Sequence, residues 1–284
     1  MSKMQSIQWF PGHMTKAKRQ ISDSLKLIDV VAEIVDARVP QSSRNPDFDE
    51  LFSRKPRFII LNKADIADQQ KTRDWVNFYK DEGLQAIAVE CTSGKGLNAF
   101  TSTVRGLLKE KLERAKLKGI NKTVRVMIVG IPNVGKSSLI NRLSRGKKAK
   151  VEDRPGVTRG NQWFTIADGI EVLDTPGVLW PKFDDMNVGE KLAFTGAIKN
   201  QIVDTEQLAI RLLEYLRFEY AANLIERYKL AGCDIENISG FELLQLIGKK
   251  RGMLISGGEI DTERTAIMIL DEFRSAKLGR ITLD

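Results

Sequence analysis

The sequence predicts an α/β domain followed by a small all-helical one, on three observations. Short β-branched runs alternate with helical patterns over the first 180 residues, strand signals stop near residue 185, and from there capping residues precede amphipathic stripes. At roughly 150 residues per domain, a chain of 284 residues is expected to hold two, set here at 1–184 and 185–284.

In chain order, residues 30–35, 57–61 and 86–91 read as the first three strands. Apolar residues at 97, 100, 104, 107, 108 and 112 then predict one long amphipathic helix over 97–118, ending in the solvated KEKLERAKLKG. Residues 124–129 and 170–173 are two further strands. Beyond 185, Asp204 precedes a stripe of Leu208, Leu212 and Leu216, while Ser239 and Glu242 form a capping box for a helix that Gly252 can end. A last helix follows Asp261 with Ala266, Ile269, Leu270 and Phe273 on one face, and no internal repeat interrupts this order.

Composition excludes several classes. Hydrophobic residues are 42% and charged residues 29% of the chain, as in globular proteins, and no apolar run approaches the roughly 18 residues of a membrane span. The N-terminus lacks a secretory core, so a soluble, cytoplasmic protein without membrane partners is expected, monomeric when free. Cys91 and Cys233 lie 142 positions apart without metal-ligand spacing, which argues for ordinary thiols. His13 is the single histidine, which rules out a multi-histidine metal centre. The net charge of +8 is uneven: residues 1–184 carry 32 basic and 21 acidic side chains, residues 185–284 carry 13 and 16. A polyanionic partner is therefore expected to meet mainly the first part.

The chemistry is carried by motifs. Gly130-Ile-Pro-Asn133-Val134-Gly135-Lys136-Ser137 matches GxxxxGK[ST] between a predicted strand and the helical SSLINRL that begins with Ser137 and Ser138. In such a P-loop, backbone N–H groups and the helix N-terminus surround phosphate oxygens, the lysine neutralises β and γ charge, and the serine ligates Mg²⁺. A Gly-rich turn without function is the bland alternative, which the flanking strand and helix disfavour. Asp174-Thr-Pro-Gly177 ends a strand 38 residues after Lys136, placing a carboxylate for the Mg²⁺ shell and a glycine N–H for the γ-phosphate. Between them, Thr158 in RPGVTRG is a candidate second Mg²⁺ ligand, or a plain surface threonine. Asn62-Lys63-Ala-Asp65 follows a strand, and its carboxylate can accept both N1–H and N2–H₂ of guanine, a pairing adenine does not offer. Thr92-Ser93-Gly94 follows the next strand, where a backbone N–H can hold the guanine carbonyl. GTP or GDP is the expected nucleotide.

The order of these motifs is base, base, phosphate, switch, switch, with Asp65 preceding Gly130 by 65 residues. In this, and in Trp9-Phe-Pro-Gly-His13-Met, Asp36-Ala-Arg-Val-Pro40, Ser43-Arg-Asn-Pro46 and DTPGVLWPK, the chain resembles the circularly permuted GTPases, specifically the ribosome biogenesis GTPase A family. The resemblance spans the whole chain. It implies a P-loop GTPase sheet with circularly permuted motif order and a C-terminal helical domain that meets RNA. It also implies GTP hydrolysis by a factor that binds the large (50S) ribosomal subunit precursor and its rRNA in the GTP state and leaves on hydrolysis.

Where Ras-like enzymes carry the glutamine that orients the attacking water, this chain has Val178. The resembled family implicates its N-terminal histidine in hydrolysis, which makes His13 the catalytic candidate; packing against Trp9 and Pro11, or an RNA contact, is the other reading. Asn133 is the residue that potassium-activated GTPases of this motif type use to hold K⁺ where an arginine finger would lie, and loop stabilisation is its alternative. The basic run Arg142, Arg145, Lys147, Lys148, Lys150, Arg154 and Arg159 is either an RNA contact or a solvated face, and Lys249, Lys250 and Arg251 form a second candidate contact. An RNA-binding scaffold with a structural nucleotide is the rival function, while a P-loop kinase or ATPase is discouraged by Asn62–Asp65.

Overall fold

The structure, a computed structural model, describes residues 11–144, 150–151, 162–167, 169–180, 185–198 and 204–284; the side chains of 11–15, 150–151 and 167 are not among them. The described residues divide into two compact units, 11–180 and 185–284.

The first unit is built on a seven-stranded sheet. Its strands are β1 (Val30–Asp36), β2 (Arg57–Asn62), β3 (Gln85–Ala88), β4 (Val124–Val129), β5 (Lys150–Val151), β6 (Gln162–Ala167) and β7 (Ile170–Asp174), in the order β3-β2-β1-β4-β7-β6-β5. The run from β3 to β7 is parallel, and β6 and β5 add antiparallel strands at one edge. Parallel neighbours need crossovers. These are supplied by α2 (Asp47–Leu51), α3 (Gln69–Asp81), α4 (Asn98–Leu107), α5 (Lys109–Leu117) and α6 (Lys136–Leu143), while α1 (Pro11–Ser24) precedes the sheet. All seven residues of β1 are buried, as expected of a strand covered on both faces.

Alternation along the strands assigns the layers. Val31 faces a core with Ala17 and Ile21 of α1 and Phe48 of α2, and Val35, four residues on, faces Tyr79 of α3. On the opposite face Phe58 meets Phe100 of α4 edge-on at 5.7 Å. The registers bring Asp36, Asn62, Ala88, Val129 and Asp174 to one end of the sheet, the carboxyl end at which open α/β sheets bind ligands.

Two sequence expectations are corrected. The third strand leaves the sheet at Ala88 rather than at 91, because Gly94 N–H donates to Glu90 C=O at 2.7 Å and Glu90 N–H to Lys95 C=O at 2.9 Å, closing a loop. The helix expected over 97–118 is two helices, broken at Leu108, whose φ of −108° and ψ of 11° leave the α region while its side chain stays buried. Helices α1 to α3 and strands β5 and β6 were not among the elements expected from sequence.

The second unit holds α7 (Met186–Phe194), α8 (Thr205–Glu219), α9 (Ala221–Tyr228), α10 (Gly240–Lys250) and α11 (Thr262–Arg274). Its caps are those the sequence indicates: Asp204 accepts from Glu206 and Gln207 N–H at 2.9 and 3.2 Å, Ser239 and Glu242 close a reciprocal capping box, and Asp261 accepts from Arg264 N–H. Each such cap is worth about 1 kcal/mol. Leu208, Leu212 and Leu216 are fully buried against Leu243, Leu244, Ile247, Ala266, Ile269, Leu270 and Phe273. Among the described residues no helix is long and apolar enough to cross a membrane.

Candidate nucleotide site

The loop 130–135 joins the buried end of β4 to α6. Gly135 caps α6 at φ 100°, and a Cβ there would lie 2.3 Å from Asn62 Nδ2, so glycine is required by both conformation and space. Asn133 is also left-handed, at φ 61°, a conformation asparagine tolerates better than most residues. Lys136 folds back over the loop: its Nζ donates to Gly130 C=O at 3.1 Å and to Ile131 C=O at 2.7 Å. Burial pulls its pKa down to about 8, against the opposing pull of the Asp174 carboxylate. Burial likewise raises Asp174, opposed by Lys136 and by the Thr175 N–H.

The segment after β7 lies against this loop. Thr175 Oγ1 donates to Ile128 C=O of β4 at 2.6 Å, and Val178 N–H donates to Gly130 C=O at 3.2 Å. A Cβ at Gly177 would stand 2.9 Å from Lys136 Nζ and 2.9 Å from Pro132 N, so this residue touches the phosphate loop through its bare backbone. Together they line a cavity of about 440 Å³ that includes Asn133, Lys136, Ser137, Asp174 and Gly177. Gln20 of α1 and Gln162 of β6 also line it, and sequence reasoning missed both; no motif marks either. Ser138 follows on the exposed first turn of α6. Val178 does not face the cavity: it is 1% exposed and packs with Ala17 and Ile21 of α1.

The loops after β2 and β3 meet beside the phosphate loop. Asn62 bridges them, its Nδ2 donating to Val134 C=O at 2.8 Å and its Oδ1 accepting from Cys91 N–H at 3.3 Å. Lys63, at φ 64°, ion-pairs with the buried Asp36 at 2.9 Å. Despite its burial, the Asp36 carboxyl is held well below the usual carboxylate range by Arg38 and Lys63. Asp65 is partly exposed, and burial, joined by the Asp65 charge, pushes the Cys91 thiol up to about 12. Thr92 and Ser93 are in that loop, and Ser93 C=O accepts from Arg142 Nη2 of α6 at 2.5 Å. Arg142 is thus tied to the base-side loop through one of its donors while remaining exposed. Position 13 lies in the first turn of α1, without a described side chain; Thr158, Arg145, Lys147, Lys148, Arg154 and Arg159 lie outside the described residues, as does the side chain of Lys150.

A mostly parallel sheet with a phosphate loop at the carboxyl end of β4, and asparagine-lysine-aspartate where β2 ends two strands away, defines a P-loop GTPase whose motif order is circularly permuted. A family profile described as "50S ribosome-binding GTPase" matches residues 125–227. The chain is 49% identical over 281 residues to the ribosome biogenesis GTPase A of Priestia megaterium, covering 98% of this chain and 96% of that one. It is 36% identical to the Thermotoga maritima protein of the same name, over 98% and 94% of the two chains. The GDP-bound structure of T. maritima YlqF superposes with a TM-score of 0.67 at 32% identity, over 94% of this chain and 98% of that one, and the GNP-bound form with 0.63. This chain belongs to the ribosome biogenesis GTPase A family.

Proposed function

We propose that the protein hydrolyses GTP as a cytoplasmic assembly factor for the large ribosomal subunit, engaging the 50S precursor and its rRNA in the GTP state and leaving on hydrolysis. The observation that carries this reading is the Asn62 bridge, which joins a guanine-reading loop to a phosphate loop in one contiguous site. Asp65 selects guanine with the support of Thr92 and Ser93, Lys136 neutralises the phosphates, backbone N–H groups from 130 to 138 surround them, and Gly177 N–H meets the γ-phosphate.

Ser137 and Asp174 offer a hydroxyl and a carboxylate to one cavity, a donor set suited to Mg²⁺. Among the described residues no three His, Cys, Asp or Glu side chains gather, so such an ion would share phosphate oxygens and water, with Thr158 as a further ligand. Bound there, it would neutralise charge developing on the phosphates. Asn133 lines the same cavity, which supports assigning it to hold K⁺.

With Val178 turned into the core, the attacking water must be handled from elsewhere, and we assign this to His13. Position 13 is two turns from Gln20, about 10 Å along the helix. Gln20 lines the phosphate cavity, which supports α1 as the supplier. Co-sedimentation with large-subunit precursors tests the reading: binding with a non-hydrolysable GTP analogue and release with GDP are expected, and equal binding in both states refutes the switch. Turnover in matched KCl and NaCl should favour KCl; equal rates leave Asn133 as a loop-stabilising residue only.

A further inference from the structure

We propose that Asn45 is a positioning residue for triphosphate recognition: it fixes the backbone just past Gly177 and so separates GTP from GDP. The proposal rests on the reading above that Gly177 meets the γ-phosphate. Asn45 lies in the Ser43–Pro46 motif, for which the nucleotide site as described has no use, and it is 1% exposed. Its Nδ2 donates to Val178 C=O at 3.1 Å, across 133 residues of sequence, while its Oδ1 accepts from Asp47 N–H at 3.1 Å. Val178 N–H donates to Gly130 C=O at 3.2 Å. Both peptide groups flanking the Val178 Cα are therefore held, the one shared with Gly177 by the phosphate loop and the next by Asn45.

Residues 175–180 belong to no helix or strand, so no ladder supplies a partner for this carbonyl, and a buried carbonyl that loses its donor is destabilised. The loop that carries Asn45 is itself braced. Ser43 Oγ donates to Val39 C=O at 2.6 Å and accepts from Asp36 N–H at 3.0 Å, and the Asp36 carboxylate holds Arg38 at 2.8 Å and Lys63 at 2.9 Å. Direct contacts thus run from Lys63 in the base-reading loop, through Asp36 and the 36–46 segment, to the carbonyl that follows Gly177. Holding that turn in advance removes its ordering cost from triphosphate binding, while a diphosphate, which does not reach Gly177, gains nothing from it.

Asn45→Asp is the discriminating variant, because it keeps the volume and the acceptor toward Asp47 N–H but replaces the donor to Val178 with a second acceptor. Affinities for GDP and for a non-hydrolysable GTP analogue are measured together with kcat and thermal unfolding. GDP affinity is expected to stay within about twofold and analogue affinity to fall about tenfold or more, the scale of one buried hydrogen bond, with kcat falling alongside. A parallel loss for both nucleotides, or for neither, overturns the proposal. If the aspartate variant does not fold, Asn45→Ala carries the same comparison without burying a charge. Hydrogen exchange of amides 176–180 in the unaltered protein separates the two layers of the argument. No added protection by the analogue over GDP removes the Gly177 reading and the proposal with it, whereas equal protection of these amides in nucleotide-free Asn45→Asp and in the nucleotide-free unaltered protein overturns the role of Asn45 alone.

Discussion

Lys136 has a pKa of about 8 because the phosphate loop buries it, and a bound polyphosphate would favour its charged form. The sign follows by linkage: below pH 8 the lysine is already charged and binding takes up no proton, and above it binding must take one up. Nucleotide affinity is expected to be flat up to about pH 8 and to fall by up to tenfold per unit beyond it, read by titration of a fluorescent GDP. Lys136→Met should bind weakly with no such slope. Asp65→Asn presents an amide donor where guanine needs an acceptor, so affinity should move from guanine to xanthine nucleotides; unchanged GTP affinity would remove Asp65 from base selection. The residues that line the cavity and the neighbouring loops were legible in sequence because the phosphate and guanine recognition proposed for them needs particular groups at fixed spacing. Gln20 and Gln162 were not, and Asn45 was visible only as a letter of the Ser43–Pro46 motif, since the placement of each depends on a contact made only by the fold. Arg142 shows the same gap in reverse: as a letter it is one more positive charge, and in the structure it is a tie to Ser93.

At the scale of elements, α1 connects the core to the site. Ala17 and Ile21 bury one stripe of it against Val178, while Gln20 reaches the cavity. His13→Ala should leave GTP binding nearly intact and lower particle-stimulated turnover by roughly 10²-fold, the usual effect of a positioned proton-handling group. Normal turnover at saturating particle with weakened particle binding would make it an RNA contact instead. This helix escaped sequence reading because its N-terminus carries no side-chain cap signal and its apolar positions are few. Helices α8, α10 and α11 of the second unit were legible from their caps, since Asp204, Ser239, Glu242 and Asp261 satisfy local donors that any helix of that sequence would have, whereas α7, capped by Asp185, was not expected. Strand β6 had its own signal, Asp168-Gly169 between WFTIA and IEVLD, a dipeptide suited to a tight hairpin.

For the whole molecule, charge and chain order matter most. The excess of basic residues in 1–184 predicts that association with ribosomal particles weakens steeply with salt, as counterions are released from phosphates. In the second unit Lys249, Lys250 and Arg251 are all exposed at the end of α10, and Arg251 also stacks on Tyr228 and donates to Arg227 C=O at 3.4 Å. Charge reversal at Lys147, Lys148 and Lys150, compared with reversal at Lys249 and Lys250, should lower the salt slope for whichever patch touches RNA; loss at neither would refute both. Chain order has a further consequence while the protein is being made. Strands β3, β2 and β1 form a contiguous half of the sheet and leave the ribosome first, but β1 finds its second neighbour only when β4 appears, 35 residues after β3 ends. At roughly 5–20 residues per second the nascent half-sheet waits about 2–7 s with β1, every residue of which is buried in the finished fold, as an open edge. During that interval the chain holds the loops proposed to read guanine and lacks the phosphate loop, so a pause in translation before residue 129 is expected to prolong the exposure of that edge beyond the reach of nucleotide binding.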